Sequence, residues 1–181
     1  FAEARQLYAR RDFRNADEAI QAILKQQPMH IQARTLYATT LINRGDIESA
    51  MQTLDGGLAL NPGISEWADI YARLLVNMGR NEEAVEVLSR AMPNISHHDY
   101  YAFYAALLQR LSRHEEASEF YRTLLKQNPD NGLWWMGLGI SLDAMAYRDS
   151  ARQAFESALQ GQNLDYELRQ YVLQQIERLS G

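Results

Sequence analysis

Small residues return along the chain at a nearly constant interval, and this spacing limits the possible folds more than any other feature. One set is Ala16, Ala50, Ala84, Ala117 and Ala151, at steps of 34, 34, 33 and 34 residues. A second set lies twelve residues before the first: Ala4, Ala38, Ala72, Ala105 and Gly139. Because small residues allow two helices to approach closely, the pattern predicts five successive pairs of antiparallel helices.

Large apolar residues keep the same phase. Three residues after the second set come Leu7, Leu41, Leu75, Leu108 and Leu142. Four residues after the first set come Ile20, Leu54, Leu88, Tyr121 and Phe155. Pro28, Pro62 and Pro129 fall where one pair should end, since proline cannot continue a helix. A single pair cannot bury its own apolar face, so we expect the pairs to stack into one all-α solenoid.

The last pair carries the most complete motif, W-x2-L-G-x2-L followed by A-x3-F. Its residues are Trp135, Leu138, Gly139, Leu142, Ala151 and Phe155. On this motif and its recurrence, the chain resembles the tetratricopeptide repeat (TPR) family over nearly its whole length. The resemblance implies a right-handed superhelical solenoid of about five helix-turn-helix repeats in a single domain, 1–181. The expected repeats are about 1–30, 31–64, 65–97, 98–131 and 132–164, followed by a capping helix at 165–180.

Two local features refine this expectation. One apolar stripe at helical spacing is expected of a final helix that covers the last repeat, and it consists of Leu168, Tyr171, Val172, Ile176 and Leu179. Pro93 lies at the joint where the interval falls to 33 residues, and we expect it to end the preceding helix early.

Composition excludes several functional classes. The net charge of -5 and the pI near 5.4 argue against a nucleic-acid partner. The absence of cysteine excludes disulfides, zinc–thiolate sites and thiol catalysis, and it fits an oxidising compartment. No run of 18 apolar residues predicts a membrane span. The chain begins at Phe1 inside the first expected helix, so we expect it to be a fragment with a segment upstream.

Residues suited to catalysis or metal binding are sparse. His97 and His98 are adjacent, and adjacent side chains on a helix point about 100° apart, so they are poorly placed to share one ion. Phosphate-binding and hydrolase motifs are missing. We therefore expect a non-enzymatic protein without metal or cofactor. Trp135 is expected in the core, whereas Trp134 is less explained and leaves a ligand-binding role open.

The family resemblance implies a concave groove lined by the first helix of each repeat, where partners bind as extended or helical protein segments. Carried onto this chain, the candidate groove residues are Arg5, Thr35, Thr39, Asn43, Asp69, Arg73, Asn77, Arg110, Met136 and Ile140. The first repeats offer polar donors and the last an apolar surface. The lysine and asparagine of the family's carboxylate clamp are missing, since Phe1 and Arg5 occupy those places. Asp69 and Arg73 also fit a simple helix-stabilising ion pair.

A narrower resemblance lies in Asp99–Gly139, in the runs AALLQRLSRHEEA and NPDNGLWWMGLG. These are similar to the C-terminal periplasmic repeat domain of the MshN family of biogenesis proteins, from mannose-sensitive haemagglutinin (MSHA) type IV pili. The resemblance implies a pilus-assembly partner and a periplasmic location in a Gram-negative envelope, tethered to the inner membrane by an upstream segment.

Two alternatives remain open from the sequence. One is a cytoplasmic adaptor of the same fold. The other is an architectural module that forms homo-oligomers through its ends, because a truncated first repeat should leave an apolar edge at Ala4 and Leu7.

Overall fold

The computed structural model describes residues 1–181, which form eleven α-helices and no β-strand. The helices are α1 (Ala2–Ala9), α2 (Phe13–Gln26), α3 (Ile31–Asn43), α4 (Ile47–Leu60), α5 (Ser65–Asn77), α6 (Asn81–Arg90), α7 (His98–Arg110), α8 (His114–Gln127), α9 (Gly132–Ala144), α10 (Arg148–Gln160) and α11 (Tyr166–Ser180). Contacts between helices divide the chain into two compact units, Phe1–Met92 and Pro93–Gly181. We call them the N-terminal and C-terminal units. The single-domain organisation stays a prediction.

Within each unit the helices pack as successive pairs, α1 with α2, α3 with α4 and α5 with α6, then α7 with α8 and α9 with α10. The recurring small residues lie at these contacts. The nine alanines among them are at most 1% exposed, and Gly139 is buried. At Gly139, an added Cβ would lie 2.9 Å from the ring of Phe155. The small residues therefore permit the close helix contacts that their spacing predicts, and the all-α prediction is confirmed.

The recurring leucines end the first helix of each pair. Each leucine carbonyl accepts a hydrogen bond from the backbone N–H five residues later, at 2.9 to 3.0 Å. The donors are Asp12, Asp46, Arg80, Arg113 and Tyr147. The residue before each donor has a positive φ: Arg11, Gly45, Gly79, Ser112 and Ala146. This is the Schellman arrangement, which reverses the chain within a few residues and brings the second helix back beside the first.

Pro93 acts at its joint as the sequence predicts. The preceding helix, α6, stops at Arg90 after 10 residues, whereas α4 has 14 residues. The boundary between the two compact units falls directly before Pro93.

The final helix packs on α10 through the predicted apolar stripe. Val172 is fully buried and Leu179 is 8% exposed. The Arg169 guanidinium donates to the carbonyl of Leu159, 3.0 Å away, and fixes the start of α11 against the end of α10. The capping helix is thus present, at Tyr166–Ser180.

Of the two residues expected at an apolar edge of the first repeat, Leu7 is partly buried and Ala4 is buried, and association through this edge stays a prediction. Ala4 is 1% exposed and belongs to a core cluster with Ile20 and Ala33, because α2 and α3 already cover it. The open side of α1 has a shallow depression lined by Ala2, Arg5, Gln6 and Ala9.

Candidate interaction surfaces

The predicted residues of the N-terminal unit form stripes along the first helices. Thr35, Thr39 and Asn43 follow one another at intervals of four on α3, so they share one side of that helix. Asn43 is exposed and makes no side-chain hydrogen bond, whereas the Thr39 hydroxyl donates to the Thr35 carbonyl, 2.9 Å away. The Thr35 hydroxyl is buried and lacks a partner. This stripe therefore offers the unused amide of Asn43, whereas the unused hydroxyl of Thr35 is not accessible at the surface.

The α5 stripe consists of Asp69, Arg73 and Asn77. Asp69 accepts two hydrogen bonds from the Arg73 guanidinium, at 2.9 and 3.0 Å. This is the helix-stabilising pair that the sequence left open as an alternative, and it occupies part of the donor capacity of Arg73. Asn77 is exposed at the end of the helix, and Arg5 is exposed on α1.

In the C-terminal unit, Arg110 is exposed at the end of α7 and has no carboxylate partner. Met136 and Ile140 lie one turn apart on α9 and are partly buried, so they leave a limited apolar surface. We call these stripes together the first-helix faces. The structure places every candidate groove residue on a first helix with some exposure, and a partner for them stays a prediction.

Polar contacts hold the first helices of the C-terminal unit side by side. The Gln109 amide donates to the Gly137 carbonyl at 2.8 Å and to the Ser141 hydroxyl at 2.7 Å, which joins α7 to α9. Arg178 of α11 pairs with Asp143 of α9. These bonds fix the spacing of the surface that contains Met136.

The two adjacent tryptophans exchange the roles that the sequence predicts. Trp134 is 8% exposed, and its ring meets the edge of His98 at a centroid distance of 5.5 Å. Trp135 is partly exposed, and its indole N–H donates to the Pro129 carbonyl at 2.7 Å. The helix orientation explains the exchange, because Trp67 occupies the position of Trp134 in an earlier repeat and is fully buried. Trp134 is therefore a core residue and offers no exposed ring to a ligand.

Three charged or polar groups link the first helix pair to the end of α3. The Tyr8 hydroxyl donates to Asp17 at 2.8 Å, and Arg44 donates to the other oxygen of Asp17 at 2.9 Å. Burial, then the Asp17 hydrogen bond, raises the pKa of Tyr8 well above its usual range. This tyrosine is partly buried, and its hydroxyl is held by Asp17.

The structure contains no group of three or more His, Cys, Asp or Glu side chains that could hold a metal ion. None of the eleven helices combines the length and apolarity that crossing a bilayer requires.

Two features escape sequence reasoning. Arg34 is 8% exposed, its guanidinium lies 5.2 Å above the Trp67 ring, and burial lowers its pKa. The second feature is a groove between α4 and α6, where Asp55 lies near Tyr71. A weak signal for Arg34 is Gly57, a glycine inside a helix, whose added Cβ would lie 2.5 Å from the Arg34 side chain.

A family model described as tetratricopeptide repeat matches residues 3–164. No curated protein sequence matches the chain.

Solved structures share the fold at low sequence identity. A crystal structure of MamA protein has a TM-score of 0.69 at 21% identity, covering 86% of each chain. A crystal structure of YrrB, described as a TPR protein with an unusual peptide-binding site, has a TM-score of 0.77 at 15% identity, covering 94% of this chain and 88% of that one. A tetratricopeptide repeat protein from Parabacteroides merdae has a TM-score of 0.73 at 15% identity, covering 99% of this chain and 74% of that one. The predicted fold class, an all-α repeat solenoid, is confirmed.

Proposed function

The chain belongs to the tetratricopeptide repeat family, and from this premise we propose that it is a non-enzymatic scaffold that binds protein segments on its first-helix faces. The observation that supports the proposal is the state of the side chains there. Asn43, Asn77 and Arg110 are exposed and leave hydrogen-bond donors unused. Such donors suit the carbonyl groups or acidic side chains of a bound segment. YrrB, with the same fold, is described as having a peptide-binding site.

The apolar part of the face supplies a second type of contact. Met136 and Ile140 are partly exposed on α9, and a methionine adapts its shape to an incoming apolar side chain. The Gln109 bonds to Gly137 and Ser141 keep α7 and α9 at a fixed spacing, so this surface is rigid before binding. We expect apolar partner residues here and polar or acidic ones near Arg110.

The test is affinity capture from an envelope lysate with wild-type chain and with an Arg73→Glu/Arg110→Glu variant. Charge reversal should remove captured partners without changing helicity, which circular dichroism monitors. Arg122→Glu is the matched control, because Arg122 is exposed on the second helix α8 and has no ion pair. Capture that survives both reversals, or that Arg122→Glu reduces equally, contradicts binding on the first-helix faces.

We further propose a narrower role in the biogenesis of an MSHA-like type IV pilus, in the periplasm of a Gram-negative cell. Its support is the resemblance of Asp99–Gly139 to the MshN repeat domain. Deleting the gene should remove surface pili, and a periplasm-dependent reporter fused to the chain should be active. Normal piliation in the deletion strain, or a gene without an upstream apolar span of about 20 residues, favours a cytoplasmic adaptor.

Self-association is a second candidate function, and one observation favours it. On α11, Tyr166 is 76% exposed and Leu173 is 45% exposed, on the side away from α10. Sedimentation over a concentration series should show a dimer that Leu173→Glu dissociates. A monomer at every concentration removes this candidate and leaves the partner-binding proposal intact.

A further inference from the structure

A groove on the second-helix side of the N-terminal unit has the features of a separate docking site. It runs along α4 opposite α6 and consists of two adjoining cavities of about 580 and 150 Å³. Asp55 and Tyr71 line both cavities and mark the point where they meet. We call this surface the α4–α6 groove.

Each cavity has apolar side chains in its lining. Met51 and Met78 line the larger cavity, and Met78 is 55% exposed. Leu58 and Val87 line the smaller one. Exposed methionine side chains change shape at low cost, so they fit apolar side chains of differing form.

The charges of the groove are unbalanced where the cavities meet. Arg80 donates two hydrogen bonds to Glu83 at 2.6 Å, and Arg90 pairs with Glu86, so both arginines are neutralised within their own helix region. Asp55 has neither an ion pair nor a hydrogen bond. Glu48, which lines the larger cavity, has no ion pair either, so the free charge of the groove is negative, with Asp55 at the point where the cavities meet.

The preceding repeat shows what closes the equivalent position. Gln21 and Tyr37 lie 34 residues before Asp55 and Tyr71, and the Gln21 amide donates to the Tyr37 hydroxyl at 2.7 Å. In the α4–α6 groove Asp55 and Tyr71 occupy these two positions, and no hydrogen bond joins them. Burial, then the charge of Asp55, raises the pKa of Tyr71, which is consistent with a carboxylate facing the phenol.

We propose that the α4–α6 groove binds a segment of a partner protein in which a lysine or arginine lies between two apolar residues. The basic side chain pairs with Asp55, and the apolar residues enter the cavities at Met51 and Leu58. Met51 and Leu58 are seven residues apart on α4, which corresponds to about 10 Å at 1.5 Å per residue. In a polyproline II segment, which has three residues per turn, apolar residues three positions apart lie on one side and about 9 Å apart.

This site is independent of the first-helix faces. Its residues lie on α4, at Tyr71 of α5, at Val87 and Arg90 of α6, and in the connections between these helices, and it includes none of the candidate groove residues. Binding here and binding on the first-helix faces can therefore be removed separately.

The experiment is selection of a phage-displayed random peptide library on the 181-residue chain, with prior depletion on an Asp55→Lys variant. Depletion removes peptides that bind the first-helix faces, because both proteins share those faces. We expect the surviving peptides to contain Lys or Arg flanked by apolar residues. Their affinity should fall at least about tenfold for Asp55→Lys and also fall for Met78→Ser.

Glu119→Lys is the matched control, because it makes the same charge change at an exposed, unpaired acid on α8. Asp55→Asn removes the charge but keeps the shape of the side chain, so it tests whether the effect of Asp55→Lys comes from misfolding. It should also lower the affinity of the selected peptides. The proposal is overturned if no peptide survives depletion, or if the survivors lack a basic residue. It is also overturned if the chain dimerises in sedimentation and Asp55→Lys dissociates the dimer, since the occupant is then a second copy.

Discussion

The indole N–H of Trp135 donates a hydrogen bond to the carbonyl oxygen of Pro129, 2.7 Å away in the preceding joint. In two earlier repeats, Tyr101 and Arg34 occupy the position that is equivalent to Trp135. The Tyr101 hydroxyl donates to the Pro93 carbonyl at 2.6 Å, and the Arg34 guanidinium donates to the Pro28 carbonyl at 2.8 Å. Three chemically different side chains thus satisfy a joint carbonyl that no helix or strand can reach.

This relationship predicts that Tyr101→Phe lowers the free energy of unfolding by about 1 kcal/mol, because it removes one partly buried hydrogen bond and leaves the ring in place. Urea denaturation followed by circular dichroism measures the change. Tyr147→Phe is the control, since Tyr147 is 60% exposed and its hydroxyl has no partner. Equal losses in the two variants contradict a specific role for the Pro93 contact.

A second prediction concerns the helix-pair turns. Ala146 has a φ of 65°, in the left-handed region that costs an L-residue about 1–2 kcal/mol. Gly45 occupies the equivalent place with a φ of 80° and no such cost. Ala146→Gly should therefore raise the free energy of unfolding by about 0.5–1 kcal/mol, after allowance for the greater freedom of glycine in the unfolded chain.

The reciprocal variant is the control for that prediction. Gly45→Ala should destabilise the N-terminal unit, although nothing lies within 4 Å of the added Cβ, because the strain comes from the backbone alone. If Ala146→Gly is destabilising, the positive φ at this turn does not limit stability.

The repeat spacing predicts much of the fold because it records a direct steric requirement. Residues such as Ala16 and Ala151 lie where two helices touch and must therefore be small. Their positions in the sequence show which segments form a helix pair. The orientation of a helix about its axis is harder to predict, as the exchange between Trp134 and Trp135 shows. Both are large aromatic residues, and which one faces the core depends on a rotation of about 100°, the angle between successive residues.

The candidate interaction surfaces are less predictable still. Asn43 and Arg110 could be assigned to the first-helix faces from their phase alone. The α4–α6 groove could not, because Asp55 and Tyr71 are separated in sequence and its openness depends on the absence of a bond that Gln21 makes elsewhere. The burial of Arg34 is hard to predict for a related reason. The space that holds its side chain is formed by Gly57 and Trp67, which lie on two other helices.

A third prediction follows from that buried space. Gly57→Ala would place a Cβ 2.5 Å from the Arg34 side chain and 2.8 Å from the Trp67 ring. Overpacking of this kind costs about 1–3 kcal/mol, although alanine is the better helix former. Thermal denaturation should therefore show a lower melting temperature. Gly56→Ala is the neighbouring control, because its Cβ would be in ordinary contact at 3.7 Å, and it should stabilise the chain slightly.

The last prediction is a loss of stability at alkaline pH. Burial raises the pKa of Tyr121 from 10.0 to about 12. The folded state therefore holds the phenolic proton more tightly than the unfolded chain does. The contribution of the Tyr121 phenol to the free energy of unfolding is complete below pH 10, and it is lost as the pH rises from 10 through about 12. Two pKa units correspond to about 2–3 kcal/mol in the free energy of unfolding.

Tyr121→Phe isolates this contribution from that of the other buried tyrosines. Urea denaturation at a series of pH values should show that the variant loses about 2–3 kcal/mol less than the wild type across this window. Tyr166→Phe is the control, because Tyr166 is 76% exposed and should ionise alike in both states. If Tyr121→Phe and wild type lose stability in parallel, the Tyr121 phenol ionises without unfolding the chain, and its burial beside Gly137 does not hold the proton.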